Sequence, residues 1–303
     1  MTTISSLGGT PMSGVPRSVN PNPSKKDPVP RNEQSVLSLR SATLSFGDRP
    51  LWRGLNLDVR AGEFLAVLGP NGTGKTSLLK TILGQQALTS GTIELLGAPV
   101  RRGNRDIGYI PQQKLLDHGT PLRARDLVAF GINGHRWGLP ISTPSLRRRV
   151  DDVLESVGAT AYASAPVATL SGGEQQRIRV GQAIAGNPKV LLCDEPLLSL
   201  DLQHQRAVSE LINEKRRELD TAVVFVTHDV NPILGMVDRV LYLAGGQFRV
   251  GTPDEVLRSD VLSYLYDTPV EVIHSRGRII VIGVPDGPGA HGHDVHHVEG
   301  GYH

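Results

Sequence analysis

Five apolar residues, Phe64 to Leu68 (FLAVL), run directly into the octapeptide GPNGTGKT, Gly69 to Thr76, and then into an apolar segment over Ser77 to Leu83. A continuous apolar run this short reads as a strand buried on both faces, and the segment after the glycine-rich turn reads as a helix. Such a unit commits the chain to an α/β core, because a doubly buried strand needs layers on either side of it. The octapeptide also fits the pattern G-x-x-x-x-G-K-S/T in the context its chemistry requires, between a strand and a helix. Its glycines let backbone N–H groups converge on phosphates at the positive end of the helix. Lys75 then reaches the terminal phosphates as a point charge, and Thr76 offers a hydroxyl to Mg²⁺. Gly69, Pro70, Asn71, Gly72, Thr73, Gly74, Lys75, Thr76 and Ser77 are therefore the candidate nucleotide-phosphate contacts.

Periodicity organises the rest of the chain. Leu37, Leu39, Leu55, Leu57 and Val59 alternate with polar neighbours, which predicts an antiparallel β layer opening the domain. Apolar spacings of three and four predict helices over Pro121 to Phe130 and Leu146 to Val157, separated by GINGHRWGLPISTP, as a helical subdomain from about 114 to 170. A third helix follows Ser171 and ends at Gly186-Asn187-Pro188. VLLC and AVVFVT read as further buried strands around a charged helix, Leu202 to Leu219, so the central sheet should be parallel. Val240 to Val250 carries a hairpin signal, and Pro253 to Leu257 opens a last amphipathic helix. The expected parts are a disordered tail over 1–34, a cassette over 35–258, and an extension over 259–303 with a His-rich end.

A phosphate-binding loop also needs a carboxylate at the end of a neighbouring strand, and Asp194 directly follows Val190 to Cys193. Glu195 comes next and is the candidate base for an attacking water, the plain alternative being an acidic turn without a catalytic role. Further back lies LSGGEQQR, Leu170 to Arg177, where Ser171, Gly172, Gly173 and Glu174 combine a hydroxyl, close backbone approach and a helix N-terminus. Read alone, this is only a capped helix start. Together and in this order, the loop, the octapeptide and the acidic strand end resemble the ABC ATPases, over roughly residues 35–258.

That resemblance implies a P-loop α/β cassette with a parallel central sheet, an antiparallel β subdomain and a helical subdomain. It implies ATP and Mg²⁺ as cofactors, with Thr76, Gln112 and Asp194 around the metal and Glu195, His228, Gln112 and Lys75 as the catalytic set. Gln112 in IGYIPQQ is similar to the Q-loop glutamine, although the adjacent Gln113 leaves a shift of one residue open. His228 in VFVTHD is similar to the switch histidine, and Asp201 in SLD to the D-loop. Phe46 matches the position of the adenine-stacking aromatic, where Tyr is commoner; a core aromatic is the other reading. In such proteins the signature of one subunit completes the P-loop site of another. The implied partners are a second copy, integral-membrane permease subunits and, indirectly, a substrate-binding protein, with the chain peripheral on the cytoplasmic side of the cell membrane.

Composition narrows the alternatives. Lys and Arg total 32 against 30 for Asp and Glu, so no basic stripe calls for nucleic acid, and a non-transport ATPase of the same family loses its usual support. Cys193 is the one cysteine and cannot form an internal disulfide; its apolar flank suggests a buried thiol. No apolar run approaches the roughly 18 to 20 residues that span a bilayer. IGYIPQQ with its following Pro-Leu, and VTHDVNPIL, resemble most the ATPases of manganese, zinc or iron importers. His291, His293, His296 and His297, near Asp294 and Glu299, add a candidate transition-metal cluster. A different cargo, or export, is the competing reading.

Overall fold

The computed structural model describes residues 35–112, 122–134 and 143–283. The tail over 1–34, Gln113 and the histidines from His291 onward lie outside the described residues.

The domain opens with β1 (Ser35–Phe46) and β2 (Arg49–Arg60), paired antiparallel so that Leu39 faces Leu57 and Leu37 faces Val59. β3 (Phe64–Leu68) feeds the glycine-rich loop and α1 (Lys75–Ile82), two residues earlier than the expected start. β4 (Ser90–Leu95) joins β1, and β5 (Ala98–Pro99) joins β4. β6 (Ile107–Ile110) returns to the central sheet before the helices α2 (Ala124–Asn133), α3 (Pro144–Ser156) and α4 (Gly172–Ile184). Thr143 caps α3 by accepting from the Leu146 N–H at 3.2 Å, with Pro144 in its first turn, so this boundary is written in local sequence. β7 (Val190–Asp194), α5 (Leu202–Leu219) and β8 (Ala222–Val226) follow, then the hairpin of β9 (Arg239–Ala244) and β10 (Gln247–Gly251).

The amphipathic helix expected from Pro253 is two helices, α6 (Pro253–Val256) and α7 (Ser259–Tyr266), because Leu257 leaves helical geometry at φ −88°, ψ 67°. The chain then forms a two-stranded hairpin, β11 (Glu271–Ser275) and β12 (Arg278–Ile282). The hydroxyls of Tyr242 on β9 and Tyr266 on α7 lie 2.8 Å apart and fasten α7 to the sheet.

The central sheet runs β10-β9-β3-β8-β7-β6, parallel except for β10 at one edge. Its strands are buried on both faces, and their period of two divides the interior into two cores. Phe64, Ala66, Leu191, Cys193, Val223 and Phe225 face the α2–α7 side. Leu65, Val67, Val190, Leu192, Val224 and Val226 face α1 and the antiparallel sheet of β1 and β2. Each fully buried side chain of this size contributes about 2 kcal/mol, which explains why the apolar runs are continuous rather than alternating. Cys193 is buried in this sheet, and burial pushes its thiol well above the usual range. Behind β3, Arg216 of α5 pairs with Asp238 at 2.7 Å and lies 5.7 Å from the centre of the Phe64 ring. The same Asp238 oxygen accepts the Phe64 N–H at 2.8 Å, so one carboxylate joins helix α5 to the strand that carries the loop.

Candidate active site

Val67 stands in register with Val226, and Val226 with Asp194, so β3, β8 and β7 end level. Gly69, Thr227-His228 and Glu195 all leave the sheet at this carboxyl edge, where open α/β sheets hold their ligands.

Gly69 turns away from β3 at φ +135°, and a Cβ there would lie 2.0 Å from the Leu243 carbonyl oxygen. Only glycine fits, which lets the loop start flush against β9. Asn71, Gly72 and Thr73 continue the loop, whose Thr73 hydroxyl donates to the Pro70 carbonyl at 2.9 Å. Gly74 caps α1. Lys75 is 6% exposed, and its Nζ donates to the carbonyls of Gly69 at 2.7 Å and Pro70 at 2.9 Å. Burial lowers its pKa, while the carboxylates of Glu195 and Asp194 pull the other way. The ammonium is thus held over the loop rather than out in water. Ser77 follows Thr76 in the first turn of α1.

Asp194 does not sit on the strand next to β3, as the sequence pattern suggested, because β8 lies between β3 and β7. Helix α1 spans that gap: the Thr76 hydroxyl donates to Asp194 Oδ1 at 3.2 Å, and the Tyr109 hydroxyl to Oδ2 at 3.4 Å. Burial pushes the Asp194 carboxyl above its usual range; the Thr76 bond opposes this and the charge of Glu195 adds to it. Burial also pushes the Tyr109 hydroxyl up to about 12, with the Asp194 charge and hydrogen bond contributing. Among the described residues Asp194 makes no ion pair. A buried carboxylate beside a threonine hydroxyl is a donor set that suits Mg²⁺, a hard cation taking oxygen ligands.

Glu195 adopts φ +46°, a left-handed conformation that costs a non-glycine residue about 1 kcal/mol. Its N–H donates to the Val226 carbonyl at 3.0 Å, and Gln112 Nε2 donates to its Oε2 at 3.1 Å. Exposed His228 shares a cleft with Glu195, Ser199, Thr227 and Asp229. Phe46, at the end of β1, is 77% exposed and so is no core aromatic.

The second group of residues starts at α4. The Ser171 hydroxyl accepts the Glu174 N–H at 3.3 Å, while Glu174 Oε2 accepts the Ser171 N–H and hydroxyl, each at 2.8 Å. The Ser171 hydroxyl first, then its backbone, hold the Glu174 carboxyl below the usual range. Gly172 begins the helix, and Gly173 lies flat against His204, where a Cβ would come 2.2 Å from the ring. His204 Nδ1 in turn lies 2.7 Å from Asp201, which caps α5 by accepting the His204 N–H at 2.9 Å. Among the described residues no hydrogen bond joins Ser171–Glu174 to Gly69–Ser77. The structure therefore brings Lys75, Thr76, Asp194, Glu195 and Gln112 together, and Ser171, Gly173 and Asp201 together, as two groups that no hydrogen bond among the described residues links.

Sequence reading did not single out Tyr109 or His204. Tyr109 reaches Asp194 because β6 pairs with β7 in parallel, and His204 reaches Gly173 because α4 packs on α5; neither pairing has a local signal. Among the described residues no group of three or more His, Cys, Asp or Glu is placed to hold a metal ion.

Residues 52–198, from Trp52 through the loop, the α4 signature and Glu195, match the family described as ABC transporter. The chain carries an ATP-binding domain of the ABC transporter family. Its ABC domain is similar to the sulfate/thiosulfate import ATP-binding protein CysA 2 of Rhizobium meliloti (strain 1021), 36% identical over 226 residues, covering 73% of this chain and 61% of the relative. It is also similar to the spermidine/putrescine import ATP-binding protein PotA of Bacteroides fragilis (strain YCH46), 31% identical over 242 residues, covering 78% of this chain and 51% of that one. The chain thus spans about half to three fifths of the length of these curated relatives. Among solved structures, the ABC domain superposes on a metal-chelate type ABC transporter in an inward-facing conformation with TM-score 0.70 and 27% identity, covering 82% of this chain and 96% of that chain. It superposes on cbiO1 of Clostridium perfringens, part of the ABC transporter complex cbiONQ, with TM-score 0.65 and 26% identity, covering 77% and 94%.

Proposed function

We propose that this chain is the ATP-hydrolysing subunit of an ABC importer, acting as a pair of copies docked on membrane permease subunits at the cytoplasmic face. The observation that carries this reading is the cluster of Lys75, Thr76, Asp194, Glu195 and Gln112 at the carboxyl edge of one parallel sheet. Among the described residues no helix is long and apolar enough to cross a membrane.

Lys75 leaves the Gly69 and Pro70 carbonyls to bind the terminal phosphates, and the loop N–H groups orient them. Thr76 and Asp194 would hold Mg²⁺, which when bound neutralises charge on the β- and γ-phosphates. Glu195, restrained by Gln112 and by its own turn, orients the attacking water and takes its proton as the water oxygen bonds to the γ-phosphorus. The bond from γ-phosphorus to the bridging oxygen breaks, leaving ADP and phosphate, and His228 across the cleft stabilises the phosphoryl charge. Ser171 and Gly173 complete the site of a second copy; among the described residues they make no hydrogen bond to their own chain's loop.

The proposed cargo is a divalent metal, supported by the resemblance of IGYIPQQ and VTHDVNPIL to metal-import ATPases and by the structural likeness to a metal-chelate type transporter. Sulfate or a polyamine is the second reading, favoured by the named cargoes of the relatives. The test is uptake of labelled Mn²⁺, Zn²⁺, Fe²⁺, sulfate and spermidine in the native host, comparing the wild-type chain with Glu195→Gln. Loss of uptake of one metal supports the metal reading. Loss of sulfate or spermidine uptake replaces it, and unchanged uptake of all five removes both.

A further inference from the structure

The C-terminal hairpin β11–β12 is joined to the loop that carries His228 through one side chain. Asn231 Nδ2 donates to the Ile279 carbonyl at 2.9 Å, and the Ile279 N–H donates to Asn231 Oδ1 at 2.8 Å. The amide thereby copies what a neighbouring strand would offer, and binds both outward backbone groups of one residue of β12. Its second N–H donates to Asp229 Oδ1 at 2.9 Å, which also accepts the Asn231 backbone N–H at 2.9 Å. Asp229 is tied in turn to Thr227: its N–H donates to the Thr227 hydroxyl at 3.2 Å, and that hydroxyl donates to the Asp229 carbonyl at 2.9 Å. Both neighbours of His228 are therefore held in a chain of bonds ending on the hairpin. Only one orientation of the amide meets two acceptors and one donor, so the interaction is directional. The hairpin is itself seated by one face, with Ile279, Val272 and Val281 packed against the α2–α7 core.

We propose that Asn231 is a positioning residue for His228 and that hairpin β11–β12 is the element it reads, so that displacing the hairpin slows hydrolysis without loosening nucleotide binding. This rests on the assignment of His228 to the hydrolytic site. Lys75, Thr76 and the loop lie on β3 and α1, outside this network, which is why affinity and turnover should separate. Small errors in the placement of a catalytic group are amplified in rate, so a loss of about tenfold in kcat is expected.

The experiment measures Mg·ATP hydrolysis, ATP affinity and thermal midpoint for the full chain, for Asn231→Ala, and for Val272→Ser combined with Val281→Ser. The first variant cuts the clamp at the loop; the second loosens the hairpin and leaves Asn231 in place. The proposal expects both to lose about tenfold in kcat with unchanged KM and affinity for ATP. A folded Asn231→Ala with wild-type kcat overturns the clamp while leaving the ATPase reading standing. A parallel fall in affinity and kcat overturns it as well, since that marks a general structural role. A wild-type chain that neither binds nor hydrolyses ATP, alongside an equally inert Glu195→Gln, overturns both readings.

Discussion

Lys75 and Glu195 both border the same nucleotide space, but they act on different states of it. Lys75 already spends its ammonium on carbonyl oxygens of the loop, so phosphates are its natural replacement partners in the ground state. Lys75→Ala should weaken ATP binding by at least about tenfold, one charge-assisted contact being worth roughly 1.5 to 3 kcal/mol. Glu195→Gln keeps the shape and the Gln112 contact but removes the proton acceptor, so affinity should hold while kcat falls about 10² to 10⁴-fold. Fluorescent-nucleotide titration beside phosphate-release assays checks both. Asp194 gives a third expectation, of opposite sign for stability. Its folded-state pKa is raised by burial, so the unfolded chain ionises first; stability falls as pH rises from the unfolded carboxyl's pKa to the raised folded one and is level beyond it. Asp194→Asn should raise the thermal midpoint of the nucleotide-free protein at neutral pH and abolish the added stabilisation by Mg²⁺ with ATP. A lower midpoint in calorimetry would contradict this.

The elements around the site are held by a few polar junctions set into continuous apolar packing. The junction of α5 with β3 is Asp238, which serves Arg216 and the Phe64 N–H with a single oxygen. Asp238→Ala removes one partner of a guanidinium that is 3% exposed together with the acceptor of the Phe64 N–H, and should cost about 3 kcal/mol in urea unfolding. At the start of α4 the Ser171 cap works with Glu174 alone and faces solvent, so Ser171→Ala should cost only about 1 kcal/mol of stability. The same change should reduce ATPase activity far more than stability if Ser171 contacts the nucleotide of a second copy.

At the scale of the whole molecule, no hydrogen bond among the described residues links the loop group to the signature group, and in the proposed dimer ATP bridges the loop of one copy and the signature of the other. With Mg·ATP bound and turnover blocked, Glu195→Gln should therefore sediment or scatter as a dimer, while Lys75→Ala should remain monomeric. Equal mass with and without nucleotide would argue for a site complete in one chain. The parts of this design that sequence alone determined are those written over short distances. The strand, loop and helix around GPNGTGKT, the capped helix after Ser171 and the acidic end of VLLCDE each depend on neighbours within a few residues. Burial on both faces also prints itself as unbroken apolar runs, which made the parallel sheet legible. Tertiary structure alone decided strand order, and with it the insertion of β8 between β3 and β7, the reach of Tyr109 to Asp194 and the contact of Gly173 with His204. It likewise decided the seating of β12 on Asn231, 48 residues away along the chain. Sequence patterns report which face of an element is buried, whereas the partner that buries it is chosen by packing across the whole chain.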